Sequence, residues 1–267
     1  MPAVDLENDK MPLLEHLVEL RQRLLYSFFG MIVAFFLCYS VAGHIYNFLV
    51  QPLADATEGQ AGRRMIFTAL HEAFFTQIKV AFFAAMCVSF PIMAAQAWGF
   101  ISPGLYKNEK SVFLPFLIAT PVLFTVGAAM VYYLVIPLAW RFFLSFETVG
   151  GDGNLPMELE PKVDQYLALV MRLIFAFGVC FELPVLIVLL AKIGIVSAAG
   201  LRAKRKYAVL IAFVGAAVLT PPDVISQILL AVPVILLYEI SILCAVFIEK
   251  RRGGETPTGD DEKAERA

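Results

Sequence analysis

Glu19 and Glu109 are carboxylates carried on two separate polar segments, His16-Leu-Val-Glu-Leu-Arg-Gln-Arg-Leu and Phe100-Ile-Ser-Pro-Gly-Leu-Tyr-Lys-Asn-Glu, with Arg21, Arg23, Lys107 and Lys110 as basic neighbours. Two carboxylates converging on one face suit a ligand with two guanidinium groups, because a planar guanidinium meets a carboxylate through paired charge-assisted hydrogen bonds. Surface carboxylates beside basic residues are also commonly solvated or paired locally. Spacing alone leaves both readings open. A third carboxylate, Glu182, lies inside the apolar run Phe177-Gly-Val-Cys-Phe-Glu-Leu-Pro-Val, where an isolated charge is costly. It is therefore protonated and bonded to a neighbouring helix, solvated in a cavity, or paired, and Pro184 frees a backbone carbonyl in the turn before it. Gln227 and Glu239 fall in the last apolar run, where such groups glue helices together. Gln227 joins Glu182 as an intramembrane polar contact.

Covalent chemistry finds no support. Cys38, Cys87, Cys180 and Cys244 all lie in apolar runs without a Cys-x-x-Cys pair and read as small core residues. His71 and Glu72 are adjacent, and no His-Glu-x-x-His spacing occurs, so a zinc hydrolase is not indicated. No apolar run carries a nucleophile with a base. The expectation is a protein with no catalytic residue, no metal and no cofactor.

The elements that must position these groups are membrane helices. Of 267 residues, 60% are apolar and 16% charged, with 23 Phe and a net charge of -2; the mean hydropathy is +0.76. A soluble domain carries about 25% charged residues, so much of this apolar surface faces lipid. The near-neutral balance leaves no basic block for nucleic acid.

Residues 11–25 place Leu13, Leu14, Leu17, Leu20 and Leu24 at helical spacing between charges, an amphipathic arm at the membrane interface. Since a span needs about 20 apolar residues, six are expected: near 24–42, 78–98, 112–137, 164–190, 207–219 and 224–247. The polar segment 44–76 reads as short helices folded against the domain, and Pro91 predicts a kink in the second span. The fifth span is only 13 residues, about 20 Å of helix, and implies local membrane thinning or cover by neighbours. Residues 1–250 form one integral membrane domain, and 251–267 a charged, disordered tail. Fifteen of the 21 Lys and Arg fall on the side of the two termini, so both termini are cytoplasmic.

These motifs, together with Leu219-Thr-Pro-Pro-Asp-Val-Ile-Ser-Gln, recur in order from residue 12 to about 250, and in them the sequence closely resembles the TatC family, the multispanning receptor subunit of the twin-arginine protein translocase. The resemblance implies an all-α, polytopic membrane protein of six helices in a concave, glove-like bundle in the cell inner membrane. It implies binding of consecutive-arginine signal peptides on folded cargo and assembly into a multimeric receptor complex with single-span TatA and TatB type partners, driven by the proton motive force. Carried over by motif, Glu19 and Glu109 contact the arginine pair, and Arg21, Phe100 and Leu105 shape the same site. Glu182 helps to place a partner helix, while Pro52, Pro221, Pro222 and Asp223 match loop positions. The alternative from a different class is a proton-coupled secondary transporter that uses Glu182; the absence of an internal repeat weighs against it.

Overall fold

The computed structural model describes residues 13–57, 64–101, 110–148, 155, 157–192, 194–220 and 224–253. They are almost entirely helical, and five helical stretches are long and apolar enough to cross a membrane: His16–Ser40, Glu72–Phe100, Leu117–Leu144, Val163–Lys192 and Ser226–Lys250. The protein is thus an all-α, polytopic membrane protein. Its helices group into two compact units, residues 1–122 with 146–171 and residues 123–145 with 172–267.

In the first unit, helix α1 (Leu13–Ser40) is 28 residues long, about 42 Å. The amphipathic arm runs straight into the first apolar run, as its sequence implies, because no Gly or Pro interrupts the helix until Gly30. Helix α2 (Ala42–Ala56) follows after Val41 and carries Pro52, which is buried. Helix α3 (Glu72–Ile101) continues as one helix through Pro91. Helices α1 and α3 pack along each other, and small residues are buried on both, Ala34 and Cys38 on one and Ala81, Ala84, Ala85 and Ser89 on the other. Small side chains let two backbones approach where lipid supplies no hydrophobic drive between helices. The opposite face of α1 exposes Phe28, Phe29, Val33, Phe36 and Leu37, as a lipid-facing surface does.

The next rod consists of α4 (Lys110–Met130), a π-helical turn (Val131–Val135) and α5 (Ile136–Leu144). The expected span over 112–137 therefore extends to Leu144. The cause of the π turn is Pro137, which has no N–H for the Tyr133 carbonyl and crowds the turn before it; the Ile136 N–H reaches back five residues to the Val131 carbonyl instead.

Helices α6 (Val163–Cys180) and α7 (Leu183–Lys192) form the next rod, broken at Phe181 and Glu182. There the Glu182 N–H donates to Val179 O, three residues back. Pro184 leaves the Cys180 carbonyl without an i+4 donor. Helix α7 ends in a Schellman turn: Gly194, at φ 79°, bonds to Ala191 O, and Ile195 bonds to Leu190 O. Only a residue without a Cβ takes that left-handed angle at little cost.

Helices α8 (Ala198–Ala203), α9 (Arg205–Leu219) and α10 (Val224–Gly253) complete the second unit. Ile187, Ala191, Ala198, Leu201, Ile242 and Ala245 form a buried cluster where α7, α8 and α10 meet. Helix α9 has 15 residues, about 22 Å, close to the short arm expected from the sequence. Gln227 on α10 donates to Phe213 O on α9 at 3.0 Å, the gluing role that its place in an apolar run suggested. Helix α10 runs three residues into the expected tail, to Gly253; residues beyond it lie outside the described set.

Candidate recognition site

The N-terminal third of α1 places His16, Glu19 and Arg23 on one helical face, three and four residues apart. Arg23 donates to Glu19 Oε1 from both Nε, at 2.9 Å, and Nη2, at 2.6 Å. Both side chains are partly buried, at 28% and 23% relative exposure for Arg23 and Glu19. No described residue donates to the other oxygen, Oε2. This face meets the end of α3 at two points. The His16 ring stacks on Phe100, with centroids 4.2 Å apart and planes inclined by 17°. The Arg23 guanidinium lies against Gly99, where a Cβ would overlap Nη1.

Of the candidates named from the sequence, Glu19 and Phe100 are thus brought together at the junction of α1 and α3. Arg21, two residues from Glu19 and hence on another side of the helix, is exposed. Leu105 and Glu109 lie outside the described residues, in the segment that leaves α3 directly after Ile101. His16, Arg23 and Gly99 were not singled out from the sequence. The available signal was the Glu19/Arg23 spacing of four, a pattern that also marks solvated surface pairs.

The intramembrane candidates sit in the second unit. Glu182 occupies the break between α6 and α7, and Gln227 lies on the first turn of α10. Pro221, Pro222 and Asp223 lie outside the described residues, between α9 and α10. Glu239 is paired with Arg205 at 2.6 Å, which ties α10 to the start of α9. Among the described residues no group of three His, Cys, Asp or Glu side chains is placed to hold a metal ion.

A different cluster closes the other end of the first unit. Glu72, on the first turn of α3, accepts from the Thr68 and Ala69 N–H groups through Oε2, at 2.8 and 3.3 Å, and from the Asp164 N–H through Oε1 at 3.3 Å. Asp164 in turn accepts from Lys79. One carboxylate therefore ties the turn before α3 to the first turn of α6, whose Asp164 is 92 positions from Glu72, and complements the positive ends of both dipoles. Replacing Glu72 by Ala is expected to loosen both starts together. Amide hydrogen exchange should rise at Thr68 and Ala69 and also at Asp164, whereas a purely local cap would affect only the α3 side. Nearby, at the elbow of α1 and α2, a cavity of about 520 Å³ is lined by Gly43, His44, Tyr46, Asn47, Phe67, Ala73, Thr76, Gln77 and Val163. Burial pushes the Tyr46 phenol up. None of its lining residues is Asp, Glu, Lys or Arg, so it is not built for an arginine ligand.

Comparison with known proteins agrees with the motif reading. Residues 15–233 match the family described as Sec-independent protein translocase protein (TatC). The Sec-independent protein translocase protein TatC of Magnetococcus marinus is 52% identical over 243 residues, 91% of this chain and 87% of that protein. The TatC of Escherichia coli K12 is 41% identical over 239 residues, 90% of each. The fold is similar to a crystal structure of the twin-arginine translocase receptor TatC, with a TM-score of 0.75 and 34% identity, covering 88% of this chain and 99% of that one. These likenesses lend no support to the secondary-transporter alternative.

Proposed function

Since this chain belongs to the TatC family and is a multi-pass inner-membrane receptor and core subunit of the twin-arginine translocase, we propose that Glu19 and Glu109 are the carboxylates that receive the arginine pair of the signal peptide. The function is one of binding and assembly, without enzymatic chemistry. The observation that carries the site is the Glu19 carboxylate on α1, held at one oxygen by Arg23 and with no donor to the other among the described residues, beside the end of α3, after which Glu109 follows in the chain. Glu19 offers the signal guanidinium its second oxygen, Oε2, since Oε1 already accepts from Arg23. A Lys ammonium keeps the charge but loses the planar fork, which gives a physical basis for preferring arginine.

In the same reading α9 is a sixth, short span, and both termini are cytoplasmic. The excess of Lys and Arg on that side supports this orientation. TatA and TatB type single-span subunits are the partners, with Glu182 and Gln227 as polar contacts inside the membrane and Arg21, Phe100 and Leu105 shaping the signal site. Pro52 and the Pro221-Pro222-Asp223 turn act as structural positions.

The test is photo-crosslinking of a labelled signal peptide to the membrane-embedded protein, with Arg-Arg and Lys-Lys peptides compared on wild type, Glu19→Ala and Glu109→Ala. The expected result is crosslinking that requires Arg-Arg and falls in both variants. Equal labelling by both peptides, unaffected by either substitution, would overturn the two-carboxylate site. For orientation, a cysteine placed at position 2 or 265 should react with a membrane-impermeant maleimide only in inverted vesicles.

A further inference from the structure

We propose that Arg23 is the positioning residue of the arginine-recognition site: seated on Gly99, it grips Glu19 by one oxygen and turns the other, Oε2, toward the incoming signal arginine. This rests on the reading of Glu19 as a signal-binding carboxylate.

An unrestrained Glu on a helix surface samples several rotamers, and freezing one on binding costs free energy. Here the side chain is already fixed, because Nε and Nη2 of Arg23 both donate to Oε1. The Arg23 side chain is itself fixed at its far end. Its guanidinium covers the face of α3 at Gly99, where the missing Cβ makes room for it. The backbone of the same residue is pinned by Ser27, whose Oγ donates to Arg23 O at 3.0 Å. The result is a chain of support that runs from α3 through Arg23 to Glu19 and ends at an oxygen with no described donor.

A carboxylate has about four acceptor positions, so holding Oε1 still leaves room for a second guanidinium at Oε2. The charge balance also has a consequence. Arg23 and Glu19 together are neutral, so the net attraction for two signal arginines must come from further carboxylate charge, and Glu109 is the candidate. In this arrangement Arg23 contributes orientation, and Glu109 contributes the uncompensated charge. A competing arrangement, in which Arg23 merely occupies Glu19 and must be expelled by the signal, predicts the opposite sign for every Arg23 variant.

The experiment is equilibrium binding of a fluorescent Arg-Arg signal peptide, with a Lys-Lys peptide as control, to the full-length protein in nanodiscs. The variants are Arg23→Gln, Arg23→Lys, Gly99→Ala, the double variant Arg23→Gln with Gly99→Ala, and Glu19→Gln. Loss of the charge-assisted hydrogen bonds that orient a ligand-binding carboxylate is expected to weaken binding about tenfold. Arg23→Gln should show that loss and narrow the Arg-Arg over Lys-Lys preference; Arg23→Lys, lacking the fork, should not restore it. Gly99→Ala should reproduce the loss by displacing the guanidinium, and should add nothing once Arg23 is Gln. A general folding defect would instead weaken both peptides equally and add in the double variant, and that result would overturn the proposal. Tighter binding in Arg23→Gln would overturn it in favour of expulsion. If Glu19→Gln weakens binding and the Arg23 variants do not, the positioning role fails alone. If Glu19→Gln changes nothing, the underlying reading of Glu19 fails with it.

Discussion

Glu19→Ala is expected to weaken binding of an Arg-Arg signal peptide by about 10- to 100-fold, since a hydrogen bond to a charged group contributes about 1.5–3 kcal/mol and every 1.4 kcal/mol is about tenfold. The loss should exceed that of a neutral truncation, because Arg23 would remain. In the wild-type protein its charge is matched at Glu19, with Nη2 at 2.6 Å from Oε1. Without the carboxylate, the same guanidinium stands unmatched where a signal guanidinium must come, and like charges at close range repel. Removing both should therefore bind better than removing Glu19 alone: the double variant Glu19→Ala with Arg23→Ala recovers part of the loss even though it deletes more of the site. Titration of the peptide against the nanodisc-embedded variants at low and at physiological salt checks both points. The gap between single and double variant should shrink as salt screens the repulsion. A double variant as weak as the sum of its parts would remove the electrostatic argument.

Much of the scaffold was legible because a membrane span is written in composition. Runs of apolar residues near 24–42, 78–98, 112–137, 164–190 and 224–247 each fall within or largely overlap one of the five long helices, and the brevity of α9 followed from counting residues between Lys206 and Thr220. What was not legible is what depends on a neighbour. Pro184 signalled a freed carbonyl, but a break with the N–H of Glu182 turned to Val179 is one of several ways in which a helix absorbs a proline. Pro137 marked the end of the expected third span, whereas the rod widens by one residue into a π turn before it and continues to Leu144.

The candidate site shows the same limit. Glu19 and Phe100 carried a family motif, so they were found. Arg23 and Gly99 gain a role only when α3 lies beside α1, because the meaning of the glycine is the space that a guanidinium 76 positions earlier in the chain fills. Glu72 is a parallel case: its neighbour His71 suggested only a metal motif to reject, whereas its actual role depends on Asp164. Residue type and local spacing report chemistry that a side chain can do. Contacts between distant helices decide which of it is done.

The packing of α4 against α6 in the second unit gives the other large expected effect, and it separates two kinds of close approach. A Cβ on Gly178 would meet the Phe124 ring, with Cε2 at 2.5 Å, whereas one on Gly127 would meet the Phe177 carbonyl oxygen at 2.7 Å and the Phe181 ring at 2.8 Å. Phe124 and Phe177 are 4% and 1% exposed, so neither has free space to move into. Overpacking a filled interior costs about 1–3 kcal/mol. Both Gly127→Ala and Gly178→Ala should accordingly lower the thermal midpoint of the detergent-solubilised protein. They should differ in rescue. The obstacle to Gly178→Ala is a side chain, so Phe124→Leu, which costs stability alone, should offset it, with a coupling of about 1 kcal/mol in a double-variant cycle. The obstacle to Gly127→Ala includes the backbone, so Phe181→Leu should leave most of its cost in place. Because Phe177 lies in the last turn of α6 and Phe181 in the break beside Glu182, the Gly127 variant should also raise hydrogen exchange at the Glu182 amide more than the rescued Gly178 variant does. Equal rescue at the two glycines would mean that α4 and α6 can slide apart freely, and that the small residues there do not set their separation.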